Sequence, residues 1–285
     1  MLPFDYHTHN VMCHHAEGTL EEYVYSAIVK DLEGVAFNDH FPQWYMPPGP
    51  PYNTYSMDRR DLPIYFQTAR LLREKYKNQL QVKIGTEVDY AQSEPDCKEV
   101  LKQELSIYPF DFIYGSVHVI TINGESWTVD DEIYLKKWDQ GQNDTFFEAY
   151  WENVQAAIKS GLFDIIGHLD LPKKFGKKPE HPEKIMPLME ETIELLGRKK
   201  IATEINTSGW YKPIGEQYPS LEILKKLAKV GVRIVLGSDA HKPEHVGRDF
   251  LRAIKLLQEV GIEELCDFSM RKCIMVPLKK YETFK

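Results

Sequence analysis

The chain has 285 residues, 42% of them hydrophobic and 27% charged, with 17 glycines and 17 prolines. That length supplies a full hydrophobic core, and the ordinary glycine and proline usage excludes fibrous and low-complexity classes. A formal net charge of −8 argues against a general nucleic-acid binder, which carries a basic balance or patch, while leaving room for a local basic pocket around one phosphate.

The first apolar run, Leu2–Tyr6, predicts a short strand ending at His7 and His9, two positions that a strand points to the same side. A helix from about Thr19 to Leu32 precedes the run 34–37, which ends at Asn38-Asp39-His40. A second helix, about Asp61 to Tyr76, leads to the run 82–85, ending at Glu87 and Asp89. A charged helix, Asp96 to Leu105, leads to 110–115, ending at Ser116 and His118. A helix from about Thr145 to Ser160 leads to 163–167, ending at His168 and Asp170. A helix near Pro182–Lys199 leads to 201–205, ending at Asn206-Thr207-Ser208. A helix near Ser220–Val230 leads to 232–236, ending at Gly237-Ser238-Asp239-Ala240-His241, and a last amphipathic helix runs to Val260.

Seven strand–helix units with mostly continuous apolar strands predict a parallel sheet covered by helices. Seven units over this length fit a barrel better than an open sheet, and barrel enzymes place their chemistry at the C-terminal strand ends. Neither G-x-G-x-x-G nor G-x-x-x-x-G-K-[ST] occurs, so a nucleotide-binding fold has no support. Two long connections interrupt the rhythm: Phe41–Asp58, rich in aromatics and proline, and Thr121–Asp144, containing Trp127 and Trp138. Loops of that length in a compact domain are commonly functional walls or lids.

The four cysteines, Cys13, Cys97, Cys266 and Cys273, show neither a C-x-x-C pair nor a disulfide-rich spacing. The segment MLPFDYHTHN has no basic region followed by an apolar run, and no stretch approaches the ~18 apolar residues of a membrane helix. The expectation is a cytoplasmic protein with reduced thiols and no membrane partner.

Seven histidines (His7, His9, His15, His40, His118, His168 and His241) fall at or just after strand ends, as do Glu87 and Asp239. His14, His181 and His245 stand outside the series. One buried histidine is readily satisfied by a backbone carbonyl, but seven in register call for another explanation. Nine nitrogen and oxygen donors exceed the four or five that one ion takes, so two or three ions sharing a bridging carboxylate are expected. Nitrogen and oxygen ligation suits zinc, iron or manganese. Clustered ions of this kind recur in phosphoryl hydrolysis.

The motifs D-Y-H-T-H, C-x-H at 13–15, N-D-H at 38–40, G-T-E at 85–87, G-S-V-H at 115–118, G-H-L-D at 167–170 and G-S-D-A-H at 237–241 together resemble the PHP (polymerase and histidinol phosphatase) superfamily. Within it, I-G-H-L-D-L-P-K-K-F (166–175) and N-T-S-G-W-Y-K-P-I-G-E-Q-Y-P-S (206–220) are similar to stand-alone histidinol-phosphatases. The resemblance implies a distorted (β/α)7, TIM-like barrel forming a single domain over residues 1–285. It implies a trinuclear metal centre and, as activity, hydrolysis of L-histidinol phosphate to L-histidinol and inorganic phosphate, a step of histidine biosynthesis. Carried over by motif, His7, His9, Glu87 and Asp239 hold a first metal. Glu87 bridges to a second, held also by His118 and His168. His15, His40 and His241 hold a third. Asp39 orients a ligand from behind, and Asp5 either does the same for His7 or His9 or caps backbone amides at the strand end.

The expected mechanism is in-line attack of a metal-bridging hydroxide on phosphorus, with no nucleophilic serine or cysteine. Asp170 and His241 are candidates for protonating the leaving alkoxide. Lys173, Lys174, Lys212 and Arg248 are candidate phosphate cations, Lys212 foremost, and Ser116 and Ser208 add hydrogen bonds. Glu216, with Trp44, Tyr45 and Trp210, is a candidate for the substrate's amino group and imidazole. The alternatives are a phosphoesterase acting on a nucleotide or sugar phosphate, and a non-catalytic metal-binding module such as the PHP domains attached to some DNA polymerases.

Overall fold

The computed structural model describes residues 1–47, 55–132 and 143–281. Seven α-helices appear among them: α1 (Leu20–Val29), α2 (Leu62–Tyr76), α3 (Cys97–Leu105), α4 (Asn143–Ser160), α5 (Pro182–Lys199), α6 (Leu221–Val230) and α7 (Phe250–Glu259). Their starts follow local chemistry. The Thr19 hydroxyl accepts from the Glu22 amide while the Glu22 carboxylate accepts from the Thr19 amide at 2.7 Å, closing a reciprocal cap on α1. Ser220 caps α6, and Gly231, at φ 75°, takes the left-handed turn that ends it. Each helix then buries one face: α6 turns Ile223, Leu224 and Leu227 inward and keeps its lysines outside.

The strands are β1 (Gly34–Phe37), β2 (Gln81–Ile84), β3 (Glu87–Asp89), β4 (Tyr114–Ser116), β5 (Val119–Ile122), β6 (Glu125–Thr128), β7 (Ile165–Ile166), β8 (Ala202–Asn206), β9 (Ile234–Gly237), β10 (Glu264–Ser269) and β11 (Lys272–Pro277). A five-stranded parallel sheet has the order β3-β4-β7-β8-β9, and β1 pairs in parallel with β2. A bridge between His40 and Glu87 carries the β1–β2 pairing on to β3. The regular ladders thus form separate sheets, and the expected first strand is reduced to isolated bridges. Asp5 pairs with Val35 on one side of it, and the Tyr6 amide donates to the Leu236 carbonyl at 2.9 Å on the other. Pro3 has no amide to donate, and the His7 amide donates to the Asp5 carboxylate.

Phe4, Tyr6, Phe112, Tyr114, Ile165 and Val235 build an apolar cluster between the parallel segments, separate from the larger core beneath the helices. Cys266 and Phe268 of the β10–β11 hairpin pack onto it. That hairpin was not expected from the sequence, because Met270 and Arg271 make its turn at φ 48° and 63° without glycine or asparagine. The β5–β6 hairpin falls where a long irregular connection was expected. Its Asn123-Gly124 turn has φ 52° and 79°, and Trp127 is buried in β6. Trp138 and positions 48–54 of the aromatic and proline-rich stretch lie outside the described residues. Among the described residues no helix is long and apolar enough to cross a membrane.

Candidate metal centre

Parallel segments end side by side, so residues far apart in sequence converge at their C-terminal ends. His7 and His9 leave the first segment on the same side, with ring centroids 5.0 Å apart. Glu87, buried on β3, reaches toward both. Its Oε2 lies 3.3 Å from His7 Nε2, 3.5 Å from His9 Nε2 and 3.1 Å from His40 Nδ1. Its Oε1 lies 3.0 Å from His168 Nε2 and 3.8 Å from His118 Nε2. Asp239 Oδ1 is 3.3 Å from His9 Nε2 and 3.8 Å from His7 Nε2. His15 Nε2 is 2.9 Å from His241 Nε2. Glu87, His118 and His168 form one close group of donors; His7, His9 and Asp239 form another; His9, His40 and His241 form a third.

Donor atoms around a tetrahedral ion at ~2.0–2.2 Å lie about 3.3–3.6 Å from each other, close to these spacings. The tautomers make the stronger test. His118 Nδ1 lies 2.9 Å from Asp89 Oδ1 and His7 Nδ1 lies 3.0 Å from Glu204 Oε2; a carboxylate there requires the N–H on Nδ1. His15 Nδ1 and His241 Nδ1 each face a backbone carbonyl at 3.0 Å. When neutral, these four rings therefore carry the lone pair on Nε2. Two such Nε2 atoms, His15 and His241, point at one another at 2.9 Å, an arrangement that a shared cation satisfies. His7 Nε2, both nitrogens of His9, His40 Nδ1 and Glu87 Oε2 are buried with no hydrogen-bond partner among the described residues. The donor set fits divalent metal.

Electrostatics agree. Burial opposes charge on His7, yet Glu204, Glu87 and Asp239 outweigh it and hold its pKa well above the ordinary value. By the same contest His9 is pushed up to about 8 and His118 to about 10. Burial would raise Glu87, but His7, His40 and His118 hold it well below the carboxylate range. His40 is held well below the ordinary value and His241 is lowered to about 3, by burial and by neighbouring imidazoles. The two halves of the cluster thus differ: one draws positive charge, the other presents neutral imidazoles. Backbone strain marks the site as well, since His168 and Asp239 adopt φ 22° and 51°.

The cluster opens into a cavity of about 760 Å³. Lys174, Lys212, Ser208, His15, His40, His118, His168, Asp239 and His241 line it. Lys174 Nζ donates to the Asp130 carbonyl at 2.7 Å and lies 3.1 Å from its carboxylate, whereas Lys212 is exposed at the rim and pairs with no described carboxylate. Ser208 Oγ donates to Asp239 at 3.2 Å.

Other expected site residues fall elsewhere. Ser116 is buried and donates to Glu87 Oε1 at 2.5 Å, so it holds a donor and does not line the cavity. Asp170 also lies outside the lining; its carboxylate accepts from the Ser220 amide at 2.9 Å and meets Lys173 at 3.1 Å, and burial raises its pKa against the pull of Lys173. Glu216 pairs with Lys173 at 2.9 Å, and the Arg248 guanidinium stacks 3.7 Å from the Tyr211 ring centroid. Trp44 lies under Arg59, the Tyr45 hydroxyl donates to the Asp89 carbonyl, and Trp210 donates to Gln217. Asp39 approaches His9 Nδ1 at 3.4 Å and accepts from the His40 amide at 3.0 Å. Asp5 touches no imidazole: it accepts from the amides of His7, Ser238 and Gly247, fastening two ligand-bearing segments by their backbones.

Two positioning carboxylates were given no role from the sequence, although Asp89 was noted at its strand end. Glu204 sits fully buried in the middle of β8, facing His7 and accepting from the His168 amide at 2.8 Å. A carboxylate inside an apolar run was the available signal. Asp89, two residues beyond Glu87, accepts from both the amide and the ring of His118 at 2.9 Å.

Histidine, aspartate and glutamate donors gathered at the ends of parallel segments define an α/β protein equipped for divalent metal. The PHP domain model matches residues 5–208, and the chain belongs to that family. A Deinococcus radiodurans protein named "Probable histidinol-phosphatase" is 33% identical over 259 residues, covering 90% of this chain and 93% of that one. The histidinol-phosphatase of Lactococcus lactis is 29% identical over 277 residues, covering 95% and 96%. A crystal structure of the L. lactis histidinol phosphate phosphatase, complexed with zinc, L-histidinol and phosphate, superposes with a TM-score of 0.77 at 27% identity, covering 95% of this chain and 98% of that one.

Proposed function

We propose that this chain is a metal-dependent phosphomonoesterase that hydrolyses L-histidinol phosphate to L-histidinol and inorganic phosphate. The observation that carries the reading is the convergence of imidazole lone pairs and two carboxylates on a cavity whose rim holds the uncommitted ammonium of Lys212. The similar L. lactis enzyme, bound to zinc, L-histidinol and phosphate, supports the substrate.

In this reading His7, His9, Glu87 and Asp239 hold one ion, Glu87, His118 and His168 a second, and His15, His40 and His241 a third. Such ions supply a hydroxide nucleophile near neutral pH and offset charge on the phosphoryl group. Glu204 and Asp89 keep His7 and His118 in the ligating tautomer. Ser116 fixes one oxygen of Glu87, and Ser208 fixes Asp239. Lys212 meets the phosphate as it enters. His241, held neutral, serves as a ligand and not as the proton donor. The parallel segments are read as the staves of a distorted (β/α)7 barrel, and residues 1–285 as one domain.

Phosphate release from L-histidinol phosphate, set against nucleotide and sugar phosphates with metal-quantified protein, tests the proposal. High kcat/KM on histidinol phosphate alone, abolished by chelator and by His9→Ala, is the expected result. Equal, feeble rates on all esters would remove the substrate assignment, and no turnover by metal-loaded protein would remove the enzyme reading.

A further inference from the structure

Tyr218 was not among the residues singled out from the sequence. Its side chain is 1% exposed, yet it lines the same cavity as His168, Ser208, Lys212 and Asp239. Its backbone is pinned to the end of β8: the Asn206 amide donates to the Tyr218 carbonyl at 2.7 Å, and the Tyr218 amide donates back at 3.1 Å. Its ring packs against Gly209, where an added Cβ would stand 2.9 Å from the ring. The Lys173 ammonium lies 5.3 Å from its centroid. Backbone and ring are therefore fixed, and only the hydroxyl is left unengaged: it has no hydrogen-bond partner among the described residues.

Leaving a buried phenol unpaired is costly, so its retention here calls for a function. Burial, with the carboxylates of Asp170, Asp239 and Asp130, holds its pKa above the ordinary value, so the group is a donor. A rigid donor in the cavity that Ser208 and the Lys212 ammonium also line suits an oxygen acceptor on a bound substrate.

We propose that the Tyr218 hydroxyl donates a hydrogen bond to a non-bridging oxygen of the substrate's phosphoryl group, an assignment that rests on the phosphomonoesterase reading above. The bond holds the phosphoryl group in line and offsets the charge spread over its equatorial oxygens in the transition state, so it acts chiefly on kcat.

Tyr218→Phe removes one oxygen and keeps the ring. Wild type and variant, both zinc-loaded and metal-quantified, are compared on L-histidinol phosphate and on p-nitrophenyl phosphate. The expected result is a loss of roughly 100-fold in kcat on both esters, the magnitude typical of one oxyanion donor. Metal content should stay equal and Tm unchanged or higher, since the folded protein loses no hydrogen bond. A change under twofold overturns the proposal. So does a loss confined to histidinol phosphate, which would place the hydroxyl on the organic part of the substrate. A wild type inactive on both esters sinks the phosphomonoesterase reading instead. As an independent check on the wild type, the Tyr218 13Cζ resonance should shift when inorganic phosphate is added; a resonance that stays put also overturns it.

Discussion

Glu204→Gln isolates the positioning of one ligand from the ligand itself. The carboxylate accepts from His7 Nδ1 at 3.0–3.1 Å and from the His168 amide at 2.8 Å; the Tyr114 hydroxyl donates to it at 3.2 Å and the Asn206 amide group at 3.0 Å. A glutamine has nearly the same shape and can still accept from the His168 amide through its oxygen. Its NH2 would then face His7 Nδ1 and Tyr114. His7 Nδ1–H then keeps only the neutral amide oxygen, at the 3.1 Å position, and faces an N–H donor at the 3.0 Å position, so the tautomer that leaves Nε2 free toward Glu87 and Asp239 is held less firmly. The ligating tautomer loses its charged partner. Carboxylates behind ligating histidines are typically worth 10- to 100-fold in metal affinity, about 1.4–2.8 kcal/mol. The assay is competition between metal-free protein and a zinc chelator of known affinity, with circular dichroism to confirm folding. A folded Glu204→Gln protein binding zinc within twofold of wild type would refute the tautomer argument.

At pH 7 metal binding should release about two to three protons per chain, because His7, His9 and His118 are protonated in the metal-free state and must ligate as neutral rings. Calorimetry in buffers of different ionisation enthalpy reads this number. It should drop by about one at pH 9, above the His9 value of about 8, and affinity should tighten as pH rises; a pH-independent count would contradict the protonation scheme. Lys212→Ala should lower kcat/KM on phosphate esters by about 10- to 100-fold, the worth of one charge-assisted bond, with metal content unchanged; steady-state kinetics beside metal analysis tests it. Gly237→Ala places a Cβ 2.1 Å from Glu204 Oε2 and 2.7 Å from His7 Cβ, so it should lower both zinc affinity and thermal stability, and wild-type values for both would be the contrary result.

Periodicity alone sufficed for the helices and for most of the apolar runs that become parallel strands, because each apolar face or run is set by nearby residues. The strand-end positions of the donors followed from the same reading. What escaped depends on contacts distant in sequence. Glu204 looked like one polar residue in a strand until His7, 197 positions away, was placed beside it. The exclusion of Asp170, Glu216 and Arg248 from the cavity is equally non-local: each is committed to another element, through Ser220, Lys173 and Tyr211 respectively. The β10–β11 hairpin escaped for a local reason, since neither residue of its turn is of a type that favours positive φ.

The Asp5 carboxylate ties together segments 233 residues apart, and the donors just beyond it, His7 and His9, share their group with Asp239. A nascent chain emerges N-terminus first, so these two imidazoles wait for the synthesis of everything up to residue 239 before meeting their partner carboxylate. In the proposed reading, full metal capture at this group would therefore follow translation of residue 239. A ribosome-stalled chain ending at residue 208 would contain the whole stretch matched by the family model and still lack Asp239 and His241. Cellular metal supply would then act on the last stage of maturation, the point at which the two ends of the sequence are clasped.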